Sequence, residues 1–224
     1  MANDGVASGV SARTPLSSAV LIPALDEADR IGRVIRAALD ARCGPVLVVD
    51  DGSRDGTAEA AEAAGAQVLR LPSNVGKGGA LAAGAGRSDA DVVILLDADL
   101  TGLRPDHVRA LAAPVVDGRL DMTRGVFVGA RSATTTAQRL APVLAGQRAL
   151  RREALLSVPG LAASRFGVEI LLTRAAKRDA WRCQDVPLDG VAQVMKEEKR
   201  GVLRGVRARA GMYRDVVRAW WRRR

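Results

Sequence analysis

The sequence predicts an α/β protein, a single domain with a central, mostly parallel sheet flanked by helices. Three observations predict it. Short apolar runs at residues 19–22, 46–49, 68–71 and 92–96 alternate with helical stretches, as in parallel strands joined by crossover helices. The run Val92-Val93-Ile94-Leu95-Leu96 has no polar alternation, which reads as a strand covered on both faces. At 224 residues and 48% hydrophobic content, the chain can bury one substantial core.

Each element follows from its own residues. Residues 1–18 are small and polar and read as a disordered segment without the apolar stretch of a signal peptide. The first strand runs into Pro23-Ala24-Leu25-Asp26-Glu27. In the next helix Ile31, Val34, Ile35, Ala38 and Leu39 fall on one stripe, which is core. The second strand enters Asp50-Asp51-Gly52-Ser53-Arg54-Asp55-Gly56-Thr57, followed by a helix over 58–64 with Gly65 as its cap. A third strand leads into Ser73-Asn74-Val75-Gly76-Lys77-Gly78-Gly79, and the fourth ends in Asp97-Ala98-Asp99. All four deliver polar ends to one edge, where open α/β sheets bind ligands. Asp97 and Asp99 suit one side of a divalent cation, with water or a diphosphate completing its shell. A solvated acidic turn is the competing reading of that pair.

These four segments, in this order and spacing, resemble the successive signatures of family 2 glycosyltransferases. The similar branch contains the dolichyl- and polyprenyl-phosphate sugar synthases and the glucosyl-phosphoglycerate synthases. The resemblance is strong over residues 19–116 and looser over 125–200. It implies a GT-A, Rossmann-like fold over residues 19–200, with a nucleotide-sugar half (19–116) and an acceptor half (117–200). It also implies a Mg²⁺ or Mn²⁺ cofactor and a UDP- or GDP-linked sugar donor. Asp97 would contact the ribose or the metal, and Asp99 would bind the metal, with Ala98 between them at the donor. Asp51 and Glu27 would contact base or ribose, and the backbone of Pro23, Ala24 and Leu25 would line the base pocket. Lys77, with Gly76, Gly78 and Gly79 letting the main chain come close, suits a base or phosphate contact.

The acceptor half carries fainter signals. Phe127-Val128-Gly129-Ala130-Arg131 resembles a strand end that offers an Arg to an acceptor phosphate, and Gly146-Gln147-Arg148 a segment lining the same site. Arg131 and Arg148 would form a fork, a task that guanidinium geometry suits. Glu169 begins a helix where many inverting relatives place a catalytic base; with a phosphate acceptor, which needs none, it would orient Arg or Gln side chains instead. Lys196 is a candidate phosphate contact near the acceptor entrance. Two departures concern the third metal ligand. Thr101 stands where polyprenyl-phosphate mannose synthases place a Gln. The lone His107 reads as a surface residue on a helix N-terminus, not as the downstream His of the phosphoglycerate enzymes, and this counts against a phosphoglycerate acceptor.

Charge is concentrated at the C-terminal end. Residues 199–224 hold ten Lys or Arg against the single acid Asp215, which equals the +9 of the whole chain. Val206, Ala210, Tyr213, Val217 and Trp220 recur at helical spacing among arginines, describing a basic amphipathic helix over 201–224. Such a helix can lie in an anionic membrane interface, pack on the domain with a solvated basic face, or pair with a second copy of the chain. Nucleic acid is not an expected partner, since no recognised nucleic-acid module accompanies the stripe. Cys43 and Cys183 match no metal or redox spacing, which suits a reducing cytoplasm. The combined expectation is a hexosyltransferase acting on a polyprenyl phosphate, peripheral at the inner face of the plasma membrane. The alternative is a cytosolic transferase to a small phosphorylated or hydroxylated acceptor; a nucleotidyltransferase or a non-catalytic nucleotide- or membrane-binding protein is the reading from another class.

Overall fold

The structure, a computed structural model, describes residues 15–128, 145–165 and 167–193. The first half alternates strand and helix: β1 (Ser18–Ala24), α1 (Ala28–Ala41), β2 (Val46–Asp50), α2 (Thr57–Ala63), β3 (Gln67–Arg70), α3 (Lys77–Arg87) and β4 (Val92–Leu95). The second comprises β5 (Leu100–Thr101), α4 (Pro105–Val116), β6 (Met122–Val128), β7 (Arg148–Arg151), α5 (Arg152–Leu156), α6 (Val168–Arg178), β8 (Cys183–Asp189) and β9 (Ala192–Gln193).

Seven strands form the main sheet in the order β3-β2-β1-β4-β7-β6-β8. β1 to β4 are mutually parallel, β7 runs antiparallel to both β4 and β6, and β8 is parallel to β6. The expected mostly parallel sheet is therefore present, with β7 as its one reversed strand among the described residues. β5 and β9 pair antiparallel in a separate small sheet.

Alternate side chains along each central strand go to opposite faces. Val20, Ile22, Val48 and Ile94 join one cluster with Ile31, Val34 and Ile35 of α1 and Leu111 and Val115 of α4. Leu21, Val49, Val93 and Leu95 join a second with Leu81 of α3, Leu155 and Leu172. Hence these strands show no polar alternation: neither face meets water. A fully buried side chain such as Ile94 contributes roughly 1.5–3 kcal/mol. The stripe expected on α1 is the buried one, extended by Ala37 and Ala41, with Leu39 only half-buried.

One boundary is corrected. The disordered segment expected over 1–18 does not reach residue 18. Leu16 N–H donates to Val116 O at 3.1 Å, the Ser17 hydroxyl donates to Asp91 Oδ2 at 2.7 Å, and Ser18 opens β1. Asp91 anchors this start from the turn before β4, a long-range partner that local composition does not reveal. Residues 201–224, with the expected basic helix, lie outside the described residues. No described helix is long and apolar enough to cross a membrane.

Candidate active site

Because β1 to β4 run parallel, the segments after them meet at one edge of the sheet, and Asp97 and Asp99 lie there just beyond β4. Asp99 is buried and Asp97 half-buried, with buried Ala98 between them. Three side chains bind the Asp97 carboxylate: Lys77 Nζ donates to Oδ1 at 2.6 Å, and Gln147 Nε2 and Gln193 Nε2 donate to Oδ2 at 2.8 and 3.2 Å. The same Gln193 nitrogen donates to Asp99 Oδ1 at 2.9 Å. Both carboxylates thus converge on one atom, which a solvated acidic turn would not require.

Lys77, at the start of α3, bridges the two halves of the site. Its ammonium also donates to Glu169 Oε1 at 2.6 Å, from the first turn of α6. Burial pulls the ammonium pKa down, but the charges of Asp97 and Glu169 and their hydrogen bonds more than reverse this and hold it above the ordinary lysine range. Lys77 therefore carries a fixed positive charge between two carboxylates.

Beneath this ion triad lies Arg148, whose expected place in an acceptor-phosphate fork is corrected. It is fully buried in β7. Its Nε donates to Ala145 O at 2.8 Å, and Nη2 donates to Glu169 O at 3.1 Å and Thr173 Oγ1 at 3.2 Å. Burial lowers its pKa to about 10, so it stays charged at neutral pH. The guanidinium is a strut joining the entry of β7 to the first turns of α6, and so positions both Gln147 and Glu169. Gly146 completes the fit: a Cβ there would lie 2.4 Å from Asp97 Oδ2 and 3.1 Å from Lys77 Nζ.

The ends of β1 and β2 interlock. Asp26 N–H donates to Ser53 Oγ at 3.0 Å, Arg54 N–H to Asp26 Oδ1 at 3.1 Å, and Glu27 N–H to Thr57 Oγ1 at 2.8 Å. Glu27 sits at the N-terminus of α1, 3.6 Å from Arg30, and Leu25 is exposed beyond Pro23 and Ala24 at the rim. Asp51 is buried, and its two oxygens accept from Val75 N–H at 2.7 Å and Gly76 N–H at 2.9 Å. Its carboxylate holds the loop before α3, a task in the protein interior that the expected base or ribose contact did not include.

The expected role of the glycines around Lys77 is likewise corrected. A Cβ at Gly78 would meet Leu161 O at 2.2 Å and Ser164 O at 2.4 Å, and Gly78 N–H donates to Ser164 O at 2.9 Å. Small residues here let the main chain approach residues 161–165 of the protein itself rather than a phosphate. The Gly76, Lys77 and Gly78 amides are engaged by Asp51, Arg165 O and Ser164 O.

Other expected residues fall elsewhere. Arg131 and Lys196 lie outside the described residues. Thr101, which stands at the place of the mannose synthases' Gln, donates its hydroxyl to Ala192 O at 3.3 Å. His107 is buried rather than on the surface: its Nδ1 accepts from Arg104 N–H at 3.2 Å, closing the first turn of α4, and its Nε2 is buried without a partner. Burial and the neighbouring Arg104 charge lower its pKa.

Two side chains that contact Asp97, Gln147 and Gln193, carry no signal of this place in the sequence, because their register relative to Asp97 depends on strand pairing. Among the described residues no cluster of three or more His, Cys, Asp and Glu could hold a metal. The oxygen donors that fit a hard cation are the carboxylates of Asp97 and Asp99, with an amide beside them.

Comparison with known proteins accords with this geometry. A family model described as Glycosyl transferase family 2 matches residues 19–169. The chain is 32% identical over 223 residues to the glucosyl-3-phosphoglycerate synthase of Mycolicibacterium paratuberculosis, covering 82% of this chain and 65% of that protein. It therefore spans just under two thirds of that relative's length. It is 36% identical over 111 residues to the undecaprenyl-phosphate 4-deoxy-4-formamido-L-arabinose transferase of Klebsiella pneumoniae, covering 44% of this chain and 33% of that one. Among solved structures, the Mycobacterium tuberculosis glucosyl-3-phosphoglycerate synthase in complex with Mn²⁺, uridine-diphosphate-glucose and phosphoglyceric acid superposes with a TM-score of 0.66 at 28% identity. That match covers 88% of this chain and 80% of the other. The similarities thus favour the branch that the missing downstream His had counted against.

Proposed function

Because the chain belongs to glycosyltransferase family 2, we propose that it transfers a hexose from a UDP-linked sugar to a small phosphorylated acceptor. A Mg²⁺ or Mn²⁺ ion would be held by Asp97 and Asp99. The observation that carries this reading is the convergence of both carboxylates on one point at the carboxyl edge of the sheet. When bound, a divalent cation there neutralises the charge that grows on the leaving diphosphate. The residues around it prepare the same step. Lys77 adds a permanent positive charge 2.6 Å from Asp97, and Gln147 fixes the orientation of that carboxylate. Glu169 serves as the counter-charge that holds the ammonium in place. With Lys77, Asp97 and Glu169 offering donors and acceptors on one wall, the cluster suits the hydroxyls of a sugar.

The small acceptor has better support than the lipid phosphate. The relatives above that cover most of this chain are named for phosphoglycerate. The lipid reading drew on an arginine fork, one member of which, Arg148, is core, and on the tail.

Calorimetry with UDP and GDP, with and without Mn²⁺, tests the donor site. Mn²⁺-dependent UDP binding that is lost in Asp99→Ala is expected; nucleotide binding indifferent to both would sink the reading. Incubation with UDP-glucose and either 3-phosphoglycerate or a polyprenyl-phosphate extract then separates the acceptors, with transfer to phosphoglycerate expected.

A further inference from the structure

Asp97 and Asp99 occupy only part of the shell of a hard divalent cation, which takes about six oxygens and leaves positions for water, a diphosphate or a further protein group. Gln193 lies within reach of both carboxylates. It stands in β9 directly opposite Leu100 of β5, the residue after Asp99, so the strand register itself sets it beside the carboxylate pair. That register is pinned twice: Thr101 Oγ1 donates to Ala192 O, and Arg104 Nη1 donates to Asp189 O at 3.1 Å, at the end of β8. Although Gln193 as a whole is exposed, its amide nitrogen reaches both Asp97 and Asp99.

We propose that Gln193 is a protein ligand of the cation, turning its amide to present Oε1 when the ion binds. This rests on Asp97 and Asp99 being the metal site. Carboxylates only accept hydrogen bonds, so without a cation the amide must face them with its NH₂. Oxygen and nitrogen occupy opposite ends of the same planar group, and half a turn exchanges them. A cation between the carboxylates satisfies their charge and repels N–H, so the amide oxygen becomes the favoured end. A neutral ligand also keeps the net charge of the site lower than a third carboxylate would. The position fits a residue that is a donor in one state and a ligand in the other.

The test is Mn²⁺ titration of the full chain in the presence of UDP, followed by electron paramagnetic resonance and by water-proton relaxation. Wild type is compared with Gln193→Leu, Gln193→Glu and Asp99→Asn. Gln193→Leu should weaken Mn²⁺ binding roughly tenfold and add an exchangeable water to the bound ion, while Gln193→Glu, which keeps an oxygen in reach, should restore the affinity. Unchanged affinity and hydration in Gln193→Leu would overturn the proposal, as would a loss that Gln193→Glu fails to rescue, which assigns the amide a donor role only. If the wild type shows no UDP-linked Mn²⁺ binding, or Asp99→Asn leaves it intact, the metal reading itself fails and this one with it. Intact metal binding that ignores Gln193 alone leaves the proposed transferase standing.

Discussion

The two halves of the sheet build their share of the site in different ways. In β1 to β4 the candidate residues sit on the segment that leaves each strand, from Asp51 directly after β2 to Lys77 at the start of α3. In the second half the contributing residues arrive from far away: Gln147, Glu169 and Gln193 meet Asp97 or Lys77 across 50 to 96 positions of sequence. The first half follows from parallel topology alone, since strands running one way must present their carboxyl ends together. The second depends on one reversed strand and one short pairing. β7 carries Gly146 and Gln147 in against Asp97, and β9 carries Gln193 to the carboxylates. The lesson is that the donor side is specified locally, whereas the residues completing it are specified by packing.

The strongest way to break this comparison is to remove the strut of the second half. Arg148→Leu removes the buried donor to Ala145 O and Thr173 Oγ1 and one of the two side-chain donors to Glu169 O, so urea denaturation should show a loss of about 3 kcal/mol. A loss below ~1 kcal/mol would mean that Arg148 is not structural and would return it to the acceptor site. Gly146→Ala probes the seam more gently. Its methyl must displace Asp97 Oδ2 or Lys77 Nζ, so kcat/KM for sugar transfer should fall on the order of tenfold to a hundredfold while the unfolding midpoint stays near wild type. Equal effects on activity and stability would argue that the glycine serves the fold alone.

The smallest effect is a pH dependence at His107, where α4 faces the end of β8. Its folded-state pKa is depressed by burial and by Arg104. Between that value and the ordinary histidine pKa the unfolded chain binds more protons, so stability rises with pH in this window. The contribution is full above the unfolded value and is lost as pH falls through the folded one. His107→Gln should therefore flatten the stability difference between pH 7 and pH 5; an unchanged slope would show that His107 does not titrate on unfolding.

How much of this was legible follows from the range of the forces involved. The continuous apolar runs disclosed β1, β2 and β4, because a strand buried on both faces excludes polar side chains. The stripe on α1 disclosed its inward face for the same reason. The acidic and glycine-containing turns disclosed which edge holds the site. The same local reasoning misassigned Arg148, His107 and the glycines after Asn74. An arginine is ordinarily exposed, and only the carbonyls of Ala145 and Glu169 brought from two other segments make its burial tolerable. Gly78 reads as a phosphate cradle until residues 161–165 are seen packed on it.

The sequence by itself determined the α/β class, the strand ends and the pair Asp97 and Asp99, since hydrophobic patterning and turn chemistry act between near neighbours in the chain. Only the tertiary structure decided what surrounds that pair. The Lys77–Glu169 ion pair, the Gln147 contact, the Gln193 amide and the buried Arg148 strut arise from strand register and helix packing, which bring together groups that carry no signal of each other along the chain.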